Sequence, residues 1–318
     1  MIDNDNQQAI NALKEVAMAG IKEQRSSRRW SIFFKLITFL VIALLIMGLF
    51  GSISVKNKHL TSDKKYTAVV DVQGVIMQGA EASADNIIPA LRKAFADPKA
   101  SGVILRCNSP GGSPVQSAYV HDEIMRLRDK YPDKKVVAVA ADLCASGGYF
   151  IISAAEEIYA NKSSLVGSIG VRMQSFGVVE AMQKLGIENR ELTAGENKAI
   201  LDPFSPRKPE DEAFVKQLLA TTHKHFIDAV KAGRGDRLAD NPDIFSGLFW
   251  TGEDAKDLGL VDGFGSSATV AREIIKAETM INFSPKEDVF ERLSKRVGAS
   301  AAGILLNINQ SPKPVLHQ

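Results

Sequence analysis

The sequence predicts an α/β domain standing behind one apolar N-terminal helix, and three observations lead there. Short β-branched runs alternate with helix-period segments from Tyr66 onward. An uncharged apolar run at 36–50 precedes them. The composition, 45% hydrophobic and 24% charged, suits a globular body of one large domain or two ordinary ones in 318 residues.

The elements follow in chain order. Residues Gln7 to Lys22 have helical composition and suit a membrane surface or the cytosol. The run LITFLVIALLIMGLF, Leu36 to Phe50, carries no charge. With Ile32 to Phe34, and with Lys35 snorkelling to the interface, it nears the roughly 20 residues that a bilayer requires. A long charged lead precedes it and no Ala-x-Ala site follows, so it reads as a retained signal anchor rather than a cleaved signal. Arg25, Arg28, Arg29 and Lys35 crowd its near side, and the first basic residue beyond it is Lys56. That bias places the N-terminus in the cytoplasm and the body outside. The expected organisation is therefore a cytoplasmic segment at 1–31, a transmembrane anchor at 32–51 and a linker at 52–65. A body at 66–283 follows, and then a C-terminal helix and loose tail at 284–318.

Within the body, Tyr66 to Val72 reads as a strand, Asn86 to Ala96 as a helix and Gly102 to Arg106 as a short buried strand. Val120, Ile124 and Leu127 mark the inner face of a helix from Val115 to Lys130. Lys135 to Ala140 is the next strand. Three acids after Pro209 open a helix that reaches Lys231, with Val215, Leu218, Leu219, Thr222, Phe226 and Val230 as its inner stripe.

Net charge is only +2, with no concentrated basic face, which argues against nucleic acid as a partner. Neither GxxxxGK[ST] nor GxGxxG occurs, so no nucleotide cofactor is expected. Cys107 and Cys144 are too few for a disulfide framework and lack zinc-ligand spacing. Both fall in apolar strand-like runs and read as small core residues, a bridge being the alternative in an oxidising compartment.

Three glycine-rich corners carry the chemistry: Asn108-Ser109-Pro110-Gly111-Gly112, Ala145-Ser146-Gly147-Gly148-Tyr149 and Gly167-Ser168-Ile169-Gly170-Val171. The first two each join a strand to a helix, which presents backbone N–H groups where negative charge is favoured. Acyl transfer requires a nucleophile on a sharp turn and two N–H donors for the developing oxyanion. Ser146 has the position of the nucleophile, and the N–H of Gly147 with one from Gly111–Gly112 would form the hole. A serine also requires a base. His59 lies in the linker and His317 in the tail, while His223 and His225, two apart on a helix, face different ways. His121 reads as a partly exposed helix residue. With no histidine placed for a triad, a lysine becomes the better candidate. Lys198, in Ala194-Gly195-Glu196-Asn197-Lys198 ahead of Asp202-Pro203-Phe204, is either that base or an ordinary surface lysine. The residues alone leave both open.

These motifs resemble the S49 family of Ser-Lys proteases, the signal peptide peptidase A group. The resemblance is carried by NSPGG, Asp142 to Tyr149, GSIGV, the G-x-x-K followed by DPF, and Gly247-Leu248-Phe249-Trp250-Thr251-Gly252 continuing to Asp262. Together they cover about Tyr66 to Gly265, in the family's order. The resemblance implies a crotonase/ClpP-like spiral of βα units in its short, single-repeat, membrane-anchored form. It implies Ser146 as nucleophile, Lys198 as general base and Ser168 as the hydroxyl orienting the lysine. Gly147 and Gly112 would be the oxyanion donors, with Gly111 close behind. It implies no metal or other cofactor, and substrates that are remnant signal peptides and unfolded peptides. It further implies a ring-shaped homo-oligomer on the bacterial inner membrane, with the catalytic domain periplasmic. Cys144 departs from the small residue expected there. Two other readings compete: an acyl-CoA enzyme using the same paired amides, and a non-catalytic membrane scaffold.

Overall fold

The computed structural model describes Met18, residues 29–43 and residues 64–285. The chain divides into two units, Met1–Asp63 and Lys64–Gln318. In the first, residues 29–43 form helix α1, whose Trp30, Phe33 and Phe34 rings pack edge-on or stacked on one another. Among the described residues no helix is long and apolar enough to cross a membrane. The rest of the expected anchor, residues 44–51, lies outside the described residues, as do most of the expected linker and nearly all of the expected C-terminal helix and tail.

The second unit is a mixed α/β sheet with helices. Eight strands carry it: β1 Tyr66–Gln73, β2 Ala100–Ser109, β3 Lys135–Ala145, β4 Glu157–Ala160, β5 Leu165–Gly167, β6 Phe249–Thr251, β7 Gly263–Phe264 and β8 Met280–Asn282. The main path runs β6-β5-β3-β2-β1-β8, with β4 on β3 and β7 on β4. Every pairing is parallel except β5 with β6. Parallel strands require crossovers, and the chain supplies helices α2 Ala84–Ala96, α3 Pro114–Lys130 and α4 Gly147–Ile152 between them. Short helices α5 Val179–Lys184, α7 Gly252–Asp257 and α8 Ser267–Glu273 and the long α6 Pro209–Arg234 complete the unit.

Strand side chains alternate between two cores, as a two-residue period dictates. Val70, Val72, Val103, Leu105, Val136 and Ala138 face the larger core under α2, α3, α4 and the C-terminal part of α6. Val69, Ile104, Val137 and Val139 face a smaller one closed by Val270 and Ala271 of α8. Burial on both faces is the reason β2 and β3 read as unbroken apolar runs.

Two expectations are corrected here. His121 is buried, with 7% of its surface exposed, because it follows Val120 onto the inner face of α3 and packs edge-on against Phe150 at 5.3 Å. The expected inner stripe of α6 is buried only toward its C-terminus, at Phe226 and Val230. Leu218 is 52% exposed because the N-terminal half of α6 packs on nothing within the sheet's core.

Candidate active site

The parallel sheet delivers the ends of β2 and β3 to the same edge, and both glycine corners grow from those ends. On the β2 side, Ser109 Oγ donates to Gly74 O at 2.6 Å and accepts the Gly111 N–H at 3.1 Å. Ile76 continues the clamp: its N–H donates to Gly111 O and its carbonyl accepts the Ser113 N–H. Ser113 then caps α3 by accepting from Gln116 N–H, with Pro114 in the first turn. Gly111 has φ +95, and a Cβ there would lie 2.7 Å from both Gly147 N and Ser146 Cβ. Only glycine lets the two corners meet so closely.

On the β3 side, Ser146 takes φ 53 and ψ −125, a left-handed conformation rare for a residue with a side chain. Such a turn costs about 1–3 kcal/mol and persists only where its surroundings over-determine it. Here its N–H donates to Gly167 O at 2.8 Å and its carbonyl accepts from Phe150 N–H at 2.9 Å. The turn lifts the hydroxyl out of the sheet at the N-terminus of α4. Among the described residues, neither the Gly147 N–H nor the Gly112 N–H has a hydrogen-bond acceptor. The two lie close: a Cβ on Gly147 would be 3.3 Å from Gly112 N.

Ser168 also takes φ 53, and its N–H donates to Leu248 O at 2.7 Å. His223 of α6 binds the next carbonyl, Ile169 O, through Nε2 at 3.0 Å. Ser146, Gly147, Gly111, Gly112 and Ser168 line one cleft of ≈ 770 Å³. Its apolar walls are Val75, Phe150, Val171, Phe226 and Phe249, with the Phe150 and Phe226 rings stacked at 4.9 Å.

Lys198 does not line that cleft. It is solvent-exposed on the excursion between β5 and α6, where its N–H donates to Gly195 O. That excursion exposes large apolar side chains, Phe176 at 75% and Leu192 at 99% among them. It also borders a second groove of ≈ 650 Å³ with Val215 and Leu219 of α6. Within one chain, then, Ser146, the Gly147 and Gly112 N–H groups and Ser168 come together and Lys198 stays apart.

Sequence reasoning left three features of the site unassigned or misjudged. Cys107 and Cys144 form a disulfide, Cα–Cα 5.6 Å, rather than standing as separate core residues, because the ends of β2 and β3 are adjacent and both side chains are fully buried. His121, behind Phe150, has Nε2 buried with no hydrogen-bond partner. Burial holds its pKa below 6.5, opposed by the Asp122 carboxylate 3.2 Å from Nδ1. His223, set aside as a triad member, instead holds the Ser168 turn. Among the described residues no group of three or more His, Cys, Asp or Glu could hold a metal ion.

Comparison with known proteins adds the family. The family pattern described as Peptidase family S49 matches residues 128–280, a range that includes Ser146, Ser168 and Lys198 and begins after Gly111–Gly112. A Brucella melitensis protein named Na(+)/H(+) antiporter NhaA is 47% identical over 210 residues, which are 64% of this chain and 28% of that protein. The chain thus spans little more than a quarter of that relative's length. A Synechocystis protein named as a protease is 30% identical over 206 residues, 65% of this chain and 72% of the relative. An Enterococcus faecium protein named as the signal peptide peptidase SppA is 27% identical over 229 residues, 69% of this chain and 66% of the relative. This chain belongs to peptidase family S49.

Proposed function

We propose that this S49-family chain is a membrane-anchored serine endopeptidase with Ser146 as nucleophile and Lys198, supplied by a neighbouring copy, as general base. The observation that carries the reading is the pair of acceptor-free N–H groups, on Gly112 and Gly147, beside a serine held at φ 53. An oxyanion is the group such a pair is built to receive.

In this reading Ser146 Oγ attacks the scissile carbonyl carbon and its proton passes to the Lys198 amine. The C=O oxygen takes up negative charge between the Gly147 and Gly112 N–H groups. As the tetrahedral intermediate collapses, the C–N bond breaks and Lys198 returns the proton to the leaving amine, leaving an acyl ester on Ser146. Water, deprotonated by the same amine, then hydrolyses the ester and restores the hydroxyl. Ser168 orients the amine from the third corner.

The base must be neutral, which for a lysine takes roughly 4 to 5 kcal/mol of differential interaction, mainly desolvation. In a single chain Lys198 is open to solvent. A second copy covering the apolar surface of the excursion, Phe176 and Leu192, together with Leu218 of α6, would remove water from it and carry it to a neighbour's cleft. A closed homo-oligomeric ring repeats that contact for every copy.

The aromatic walls of the cleft suit extended peptides with apolar side chains, the chemistry of remnant signal peptides left in a bilayer and of unfolded exported segments. The uncharged run at 36–50 would hold the enzyme beside them, at the bacterial inner membrane with its body in the periplasm. The buried disulfide agrees with an oxidising compartment. The test uses the full chain in detergent micelles with an internally quenched apolar peptide. Ser146→Ala and Lys198→Ala each lose at least about 10³-fold in kcat with folding intact. Undiminished cleavage by either variant defeats the proposal.

A further inference from the structure

Pairing between β2 and β3 breaks just before the nucleophile. The register runs evenly from Gly102↔Lys135 to Cys107↔Ala140 and then resumes at Ser109↔Cys144, so β3 advances four residues while β2 advances two. The bulge lets β3 leave β4, last paired at Ala140↔Ala160, and take up β5 at Leu143↔Leu165. It also turns the strand toward the cleft, the usual consequence of extra residues in a strand. Across the gap the Leu143 N–H donates to Asn108 Oδ1 at 3.3 Å.

The Cys107–Cys144 disulfide ties the two sides of that bulge together. Cys144 stands two residues before Ser146. Cys107 stands two residues before Ser109, the side chain that fixes Gly111 by accepting its N–H. The bridge also lies under α4: a Cβ on Gly148 would be 3.2 Å from Cys107 Sγ. One covalent link therefore supports the corner bearing the Gly112 N–H, the corner bearing Ser146, and the helix turn bearing the Gly147 N–H. Both sulfur residues are fully buried, so the link touches no substrate.

We propose that Cys107 and Cys144 are positioning residues of the acyl-transfer site, their disulfide holding the two oxyanion donors and the nucleophile in mutual register across the β3 bulge. The inference rests on the reading of Ser146 as nucleophile. A misplacement of about 1 Å in such a constellation costs on the order of 10²-fold in rate, whereas the aromatic walls Phe226 and Phe249 stand on α6 and β6, elements the bridge does not join. Loss of the bridge should consequently lower kcat and spare KM. An element that merely stabilised the fold would leave both constants of the folded molecules unchanged.

The experiment uses the full chain, purified in detergent from an oxidising compartment, with the bridge verified by mass spectrometry after alkylation without reduction. Two double variants are compared, Cys107→Ala with Cys144→Ala, and Cys107→Val with Cys144→Ala, the second refilling part of the lost volume. Circular dichroism and oligomeric mass identify the folded fraction, and kcat and KM are measured on it. The proposal expects kcat to fall about 10- to 100-fold with KM within about threefold, at unchanged oligomeric mass. A kcat within twofold of the parent in either double variant overturns it, as does an absent bridge in the active parent protein. Ser146→Ala is run alongside. If that variant still cleaves, the reading of the nucleophile falls; if it is inactive while the cysteine variants keep full kcat, the positioning role alone falls.

Discussion

Replacing Gly147 with alanine separates catalytic geometry from folding. The new methyl would lie 2.5 Å from Ser117 Oγ and 3.3 Å from Gly112 N. The first contact is relieved only if the Ser117 hydroxyl rotates away from Ser113 O, which it now reaches at 3.0 Å. Ser117 is fully buried, so that rotation leaves a polar group unpaired, at a cost of about 1–3 kcal/mol. For a body of this size the thermal midpoint drops by about 2–4 °C for each kcal/mol. The second contact lies between the two proposed oxyanion donors and pushes them apart by a few tenths of an ångström. Loss of one such donor costs about 10²–10³ in kcat. Gly147→Ala is thus expected to lose roughly 10²-fold in kcat on a peptide substrate with a small change in KM. Adding Ser117→Ala removes the hydroxyl and so the 2.5 Å clash, while the contact with Gly112 N stays. The double variant should regain the thermal midpoint and not the rate. Recovery of both together, or a Gly147→Ala enzyme within threefold of wild-type kcat, would refute the assignment of these two N–H groups.

Two further outcomes follow from the histidines. His223→Phe removes the hydrogen bond to Ile169 O and frees the Ser168 turn, so kcat falls about tenfold in steady-state assays while circular dichroism is unchanged; an unaltered kcat would show that the turn holds without it. His121 is buried with its pKa held below 6.5, chiefly by desolvation, with Asp122 and Arg128 as the charged groups acting on it. An unfolded chain takes up this proton near 6.5 and the folded one resists it. The stability it contributes is therefore full above about pH 6.5 and declines as pH falls below that value. Thermal midpoints measured from pH 8 to pH 5 should fall, and less steeply in His121→Leu; equal slopes in the two proteins would contradict the burial argument.

The sheet and its corners were legible because they rest on local rules. Short runs rich in apolar residues in Tyr66 to Val72 and Lys135 to Ala140 mark β1 and β3, and the glycines at 111, 112, 147 and 148 permit the close approach that Gly111 makes to Ser146. Strands of two to four residues, such as β4, β5 and β7, carry no period to read. The cysteines were legible as buried but not as bonded, since the β3 bulge that brings position 144 beside position 107 leaves no mark in spacing. His121 was misjudged because a polar residue beside Val120 reads as a boundary of the inner face, although Ser117, His121 and Ile124 form one buried row. The exposure of Leu218 and the position of Lys198 outside the cleft were not legible for a different reason. Periodicity says that a face is apolar, not whether this chain or another covers it, and a motif names Lys198 without placing it in the fold.

Complementation tests directly whether a lysine from one copy completes the serine site of another. Ser146→Ala and Lys198→Ala chains, each inactive alone, are dissociated, mixed and reassembled, and mixed oligomers are verified by native mass spectrometry. Random pairing of neighbours in a closed ring gives about a quarter of the sites an intact serine and an intact lysine. Peptidase activity near that fraction of wild type is the expected result. Verified mixed oligomers with no activity would contradict a dyad completed between copies.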